Sequence, residues 1–382
     1  MSNVPRPGPV TTTLALAVAG LAFGARALAQ AAAPAGPRGF EEVARAAADA
    51  REKGQAAEAV RLYREAVALR PRWDEGWWYM GATLHERGRH GECRDALRRF
   101  VALKPDSGPG WALLGLCEEG AGGRDAAVEN LARALFEVKM PGGELKEVAL
   151  WHLAALYVKS AEFERALQPL TWLAKGLPAS PGLEDMIGLA LLRSPLLAAE
   201  IPEARRDLVR RMGRAGYAHL AGRLDDAQRA YEELARTHPG EPWVHYSLGA
   251  SLKTGNPARA LAEFQRELEV QPGNVYAHLE IAYLLLTRAD YENARASASR
   301  AVDLAPGLFA GHHALGRALL GLGDARLALP PLERAATLAP EVAEVQVTLA
   351  QAYAEAGRPE DAARARARAT ELHGRPAAQA RP

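Results

Sequence analysis

The sequence predicts an all-α fold, a solenoid of stacked helix hairpins in about ten repeats. The first observation behind this is a recurring proline. Pro71 and Pro105 are 34 residues apart, and Pro239, Pro272, Pro306 and Pro340 follow one another at 33, 34 and 34. A sustained period of this size marks an array of similar small units. The second observation is the content of one period. Residues 275–308 carry an apolar stripe (Ile281, Ala282, Leu285), a break at Ala289-Asp290, and a second stripe (Ala294, Ala298, Ala301) before Pro306. Two stripes of helical spacing around a short break read as a helix hairpin, and the proline closes it because it cannot extend the second helix.

The third observation is a shared frame. The eighth position of each unit is small, as at Gly81, Gly115, Ala154, Gly188, Gly249, Ala282 and Gly316. The start of the second helix is small too, as at Ala59, Cys93, Ala127, Ala260 and Ala294. Small residues let two helices approach to the short end of the usual ~8–10 Å range. Glycine marks many inter-helix turns, among them Gly54, Gly88, Gly122, Gly222, Gly255, Gly323 and Gly357. Trp77-Tyr79-Met80-Gly81 and Trp111-Leu114-Gly115 open two units; Ala59-Tyr63-Ala66-Pro71 and Ala227-Tyr231-Pro239 close two others. On these residues the chain resembles the tetratricopeptide repeat family over roughly residues 40 to 373. The resemblance implies a right-handed superhelical solenoid whose first helices line a groove.

In chain order, the elements are these. Arg6 precedes an apolar run from Thr11 to Gly24, and Ala27-Leu28-Ala29 supplies small residues at a peptidase site. Residues 1–29 are thus expected to be a secretory signal peptide cleaved after Ala29; the run is too short to span a bilayer, which takes ~20 residues. Cleavage leaves 45 basic against 46 acidic residues, net −1, so no integral span and no field that recruits nucleic acid are expected. Residues 30–38 read as a flexible lead-in. Residues 39–201 read as a first array, repeats one to five, stretched near Met140-Pro141-Gly142-Gly143. Its last repeat is truncated: Ser194-Pro195 and Ile201-Pro202 leave no room for a second helix, and a loop over 194–202 is expected before a helix from about Glu203 to His219. That break reads either as a joint between sub-arrays or as a degenerate repeat. Residues 202–374 read as a second array, repeats six to ten. Its end carries Arg364, Arg366 and Arg368, the polar outer face that a terminal repeat needs. Residues 375–382 read as a disordered tail.

Chemistry is sparse. In His85-Glu86-Arg87-Gly88-Arg89-His90 the histidines are five apart, not the four that place two zinc ligands on one helical face. His245, His278 and His312 fall at position four of successive repeats, where Trp77 and Trp111 stand earlier. One helix spacing keeps them too far apart to share an ion, so they read as rings filling the tryptophan slot. Cys93 and Cys117 read either as a disulfide or as two small buried hydrophobes. No metal, cofactor or catalytic set is expected.

The family resemblance assigns the groove to positions two, five, nine and twelve of each first helix. Here these hold Trp78, His85, Leu116, Trp151, Leu189, Trp243, Tyr246, Tyr276, Tyr283 and His313, of which about half are expected to be exposed. The lysine–asparagine pair with which some family members grip a peptide's carboxylate is not found in any unit. The reading is an exported, non-enzymatic scaffold, periplasmic or secreted, that binds protein or peptide segments in an aromatic groove and takes part in an envelope complex. The alternative is an accessory subunit of cell-envelope or polysaccharide biogenesis whose groove reads a glycan.

Overall fold

The computed structural model describes residues 39–374. The expected signal peptide, lead-in and tail lie outside the described residues. Within them every regular element is helical, and no helix is long and apolar enough to cross a membrane. The helices form two compact units, one ending at Arg205 and one beginning at Arg206.

The first unit pairs α1 (Phe40–Glu52) with α2 (Ala56–Leu69), α3 (Asp74–Glu86) with α4 (His90–Leu103), α5 (Gly108–Gly120) with α6 (Arg124–Ala132), and α7 (Glu144–Lys159) with α8 (Phe163–Gly176). A π-helical turn, Arg133–Glu137, continues α6 into the lengthened part of repeat three. The helix α9 (Pro181–Leu191) stands without a hairpin partner and packs on α7 and α8. Beyond it the chain makes 3-10 turns at Ala198–Glu200 and Glu203–Arg205. The first of these is tied down: Lys159 at the end of α7 donates to both carboxylate oxygens of Glu200 at 2.7 Å, and Ile201 is buried.

The second unit pairs α10 (Arg206–Leu220) with α11 (Leu224–Thr237), α12 (Val244–Leu252) with α13 (Pro257–Val270), α14 (Val275–Thr287) with α15 (Tyr291–Leu304), α16 (Phe309–Gly321) with α17 (Ala325–Leu338), and α18 (Ala343–Glu355) with α19 (Pro359–His373). Arg368 of α19 binds Glu341 and Glu371 at 3.0 and 2.7 Å, and Arg364 binds Asp361, so these two terminal arginines are satisfied by the last repeat and the turn that enters it.

Local chemistry explains the joints. A Cβ on Gly81 would lie 2.7 Å from Leu97 Cγ, so this glycine is what lets α3 and α4 touch. The fifteenth position of the frame turns the chain between helices in the left-handed region, with φ from +67° at Gly88 to +84° at Gly122 and Gly323. Two units place alanine there, Ala161 at φ 59° and Ala289 at φ 56°. Ser107, Ser180, Asn256, Asn274 and Asp290 cap their helices by accepting the backbone N–H three residues on.

The repeat proline has a second role. Trp77 and Trp111 donate their indole N–H to the carbonyl oxygens of Pro71 and Pro105 at 2.9 and 2.8 Å. His278 and His312 place Nε2 at 3.1 and 2.9 Å from the carbonyls of Pro272 and Pro306. A carbonyl can only accept, so each imidazole carries its proton on Nε2. In these four repeats position four is therefore a latch that ties the first helix to the end of the helix before it.

First helices of neighbouring hairpins touch directly, as α5 does α7, α7 does α9 and α14 does α16, while no two second helices among the described residues pack as closely. Within each unit the stack consequently bends with its first helices on the inner side.

Candidate functional site

The ten groove candidates belong to the first-helix halves of their repeats, and burial removes four of them from the open lining. Trp78, Leu116, Leu189 and His313 are buried. Trp78 packs on Phe100 across its own hairpin, ring centroids 5.2 Å apart. His313 donates from Nε2 to Thr348 Oγ1 at 3.0 Å, since that hydroxyl gives its own proton to Glu344 O at 2.9 Å. At these positions the neighbouring helix, not solvent, covers the side chain. The other six, His85, Trp151, Trp243, Tyr246, Tyr276 and Tyr283, are half-buried, and none is fully exposed.

His85 and Trp151 belong to the first unit. Trp151 of α7 lies over the start of α9, where a Cβ on Gly182 would sit 3.2 Å from the ring. His85 is held neutral, its pKa lowered to about 4 by burial first and then by His90 and His152. Beside it His152 and Glu119, on successive first helices, meet at 2.7 Å.

The other four belong to the second unit, and three of them cluster. Trp243 packs edge-on to Tyr246 with centroids 5.3 Å apart and tilts over Tyr276 at 6.0 Å, while Tyr246 meets Phe264 at 5.5 Å. Tyr283 lies further along α14, where its hydroxyl donates to Ala310 O at 3.3 Å. It lines an open cleft of about 500 Å³ with Lys253, Pro257, Glu280, Leu284 and Thr287. Lys253 and Glu280 pair across that cleft at 2.8 Å.

A buried polar frame fixes the aromatic cluster. Trp243 holds a left-handed backbone, φ 73°, just before α12. Its N–H donates to Glu267 Oε1 at 2.8 Å, the Tyr246 N–H donates to Oε2 at 3.1 Å, and Asn274 Nδ2 donates to Oε1 at 3.1 Å. Glu267 is fully buried and caps α12 from a facing helix. Burial pushes its carboxyl up, and the three donors pull it back only in part. One turn earlier Glu263 accepts from His245 Nδ1 at 2.8 Å and from Arg266 at 2.7 Å. His245 thus departs from the proline latch of His278 and His312. Sequence reasoning missed Glu263, Glu267 and Asn274. A signal was there: Ala260, Glu263, Phe264 and Glu267 fall at i, i+3, i+4 and i+7, which puts both acids inside the apolar stripe of α13.

The cysteines form a disulfide, the first of the two readings. Cys93 of α4 and Cys117 of α5 have Cα atoms 5.9 Å apart, within the usual range for a bridge. It staples the second hairpin to the third. His85 Nδ1 lies 3.5 Å from Cys117 Sγ.

A tetratricopeptide repeat family model matches residues 250–308 and 313–380. Those residues hold α13 to α19 apart from the first turn of α16, roughly a third of the chain. No curated protein matches the chain. Solved structures of MamA are similar to part of it. One is 18% identical, with a TM-score of 0.39, over 42% of this chain and 94% of that one. A MamA from Desulfovibrio magneticus RS-1 is 22% identical, TM-score 0.40, over 43% and 93%. The MamA of AMB-1 is 27% identical, TM-score 0.37, over 42% and 95%.

Proposed function

We propose that the protein is an exported, non-enzymatic scaffold that binds an extended segment of a protein partner along the inner face of its first helices. One observation carries the reading: Trp243, Tyr246 and Tyr276, from successive first helices, form a half-buried aromatic platform fixed from beneath by Glu267 and Asn274. Rigid aromatic side chains give contact area at low entropic cost and dominate binding surfaces. The left-handed Trp243 backbone, which only a supporting frame maintains, is the kind of local strain that concentrates at ligand sites. The Tyr283 cleft continues the same series of helices with a charged pair at its edge.

Export rests on the N-terminal pattern from Arg6 to Ala29 and is favoured by the disulfide, which persists in oxidising compartments. Sequencing the N-terminus of the protein recovered from its native host tests this: the mature chain is expected to begin at Gln30, and an intact Met1 in a soluble fraction overturns export. Peptide arrays and glycan arrays test the ligand class. Binding to extended, apolar-rich peptides that falls at least tenfold in Tyr246→Ala and Tyr276→Ala supports the reading. Binding to glycans with no peptide retained overturns it.

A further inference from the structure

Three side chains able to ligate a metal meet in the first unit, and of these only His85 is a groove candidate. Cys93 lies in the first turn of α4, Cys117 in the last turn of α5 and His85 in the last turn of α3. Their two Sγ atoms and the ring nitrogen all lie within 4.8 Å of one another. Both cysteines are fully buried and His85 is half-buried. In the oxidised protein each sulfur is bonded to the other.

We propose that reduction of the Cys93–Cys117 bridge opens a binding site for a thiophilic d¹⁰ cation, Zn²⁺ or a metal of its class, held by Cys93, Cys117 and His85. The step balances with a dithiol as reductant. Two electrons from the dithiol cleave the S–S bond, its two thiol protons pass to Cys93 and Cys117, and the reductant leaves as its own disulfide. The cation then displaces one proton from each thiol to solvent, and His85 offers the lone pair of Nδ1 from its Nε2–H tautomer.

Distances fit this exchange. With Zn–S near ~2.3 Å and Zn–N near ~2.0–2.1 Å at tetrahedral angles, a sulfur and a nitrogen ligand stand about 3.6 Å apart. His85 Nδ1 and Cys117 Sγ already stand at 3.5 Å. The two sulfurs need only part from bonding distance to about 3.8 Å, which side-chain rotation supplies without moving Cα atoms 5.9 Å apart. Charge fits as well. A divalent cation with two thiolates and a neutral imidazole is uncharged, so burial carries no Born penalty for a net ion. The site is also not sealed by apolar groups alone. The His90 ring lies 5.7 Å from that of His85, and its buried Nδ1 has no hydrogen-bond partner. Three protein ligands drawn from three helices would then keep the second hairpin stapled to the third after the disulfide is gone.

The experiment is Zn²⁺ titration of the purified protein against a chromophoric chelator, without oxygen, before and after reduction by a dithiol that is then removed. Oxidised protein is expected to compete no better than buffer, and reduced protein to bind one Zn²⁺ per chain. Outer contacts to a metal site are worth ~10–100-fold in affinity, so His85→Ala, a direct ligand, is expected to weaken binding at least about a hundredfold, and Cys93→Ser with Cys117→Ser to abolish it. No uptake by reduced protein overturns the proposal, as does uptake unchanged in His85→Ala. Should the serine variant fail to fold, Co²⁺ added to reduced wild type decides the matter instead: a thiolate-to-cobalt charge-transfer band supports the site, and its absence overturns it.

Discussion

At the scale of single residues, the most instructive side chains are two neighbouring histidines with opposite duties. His312 donates from Nε2 to Pro306 O at 2.9 Å, the bond that Trp77 and Trp111 make in earlier repeats. A net hydrogen bond of this kind is worth about 0.5–1.5 kcal/mol. His312→Ala is expected to lower the unfolding free energy by that amount, read as a lower urea midpoint with an unchanged slope, and His312→Trp to restore most of it, because the indole reaches the same acceptor. Equal loss in both variants would show that the latch is not the bond. His313 instead points inward and is buried. Burial, helped by Arg317, lowers its pKa to about 4. The unfolded chain, with an ordinary pKa near ~6.5, therefore binds more protons than the folded chain between those values, and stability rises with pH across that window. His313 is expected to contribute a loss of about 3 kcal/mol as pH falls from about 6.5 to 4. The check is the difference in unfolding free energy between wild type and His313→Gln across that range: it should shrink toward acid, and a pH-independent difference would refute the assignment.

At the scale of the hairpin, one backbone conformation organises eight of the inter-helix turns, the α12–α13 turn at Asn256 (φ −144°) being the exception. Six glycines take the fifteenth position with positive φ, but Ala161 and Ala289 take it as well. A residue with a Cβ in the left-handed region costs roughly 1–2 kcal/mol, offset in part by the extra freedom that glycine has when unfolded. Ala289→Gly is accordingly expected to stabilise the second unit by up to about 1 kcal/mol, read as a rise in melting temperature, whereas Gly323→Ala is expected to destabilise it by a similar amount. The frame that makes this prediction possible was readable from the sequence, because small residues at position eight and prolines at the unit's end are demanded by contacts inside one hairpin. The groove was much less readable. Trp78 and His313 share position five, and Leu116 and Leu189 share position nine, yet all four are covered by neighbouring helices while Tyr246 and Tyr283 at the same positions are half-open. What covers a side chain depends on how tightly facing helices close, within a hairpin for Trp78 and between hairpins for His313, and no apolar spacing records that. For the same reason the approach of His85 to the Cys93–Cys117 pair, itself one of two readings of the sequence, was not visible: it joins three helices of two repeats.

At the scale of the whole molecule, the governing fact is that within each unit, among the described residues, the hairpins make their substantial contacts with their immediate neighbours. Stability in such an array is close to a sum of repeat terms and nearest-neighbour terms, so a perturbation should fade within a hairpin or two. The disulfide is the sharpest perturbation available. It joins α4 to α5 across a sequence separation of 24, and a loop of that size restricts the unfolded chain by about 3–4 kcal/mol in the chain-entropy picture. A globular protein with one core would spread that loss everywhere. Here, reduction in the presence of a metal chelator is expected to speed amide hydrogen exchange in α3 to α6, with a smaller effect at α2 and α7. The helices from α10 onward should keep their protection, since they form a separate compact unit. Mass spectrometry of exchanged peptides reads this directly. Uniform acceleration through α10 to α19 would mean that the two units unfold as one cooperative body, and that the nearest-neighbour description of this chain is wrong.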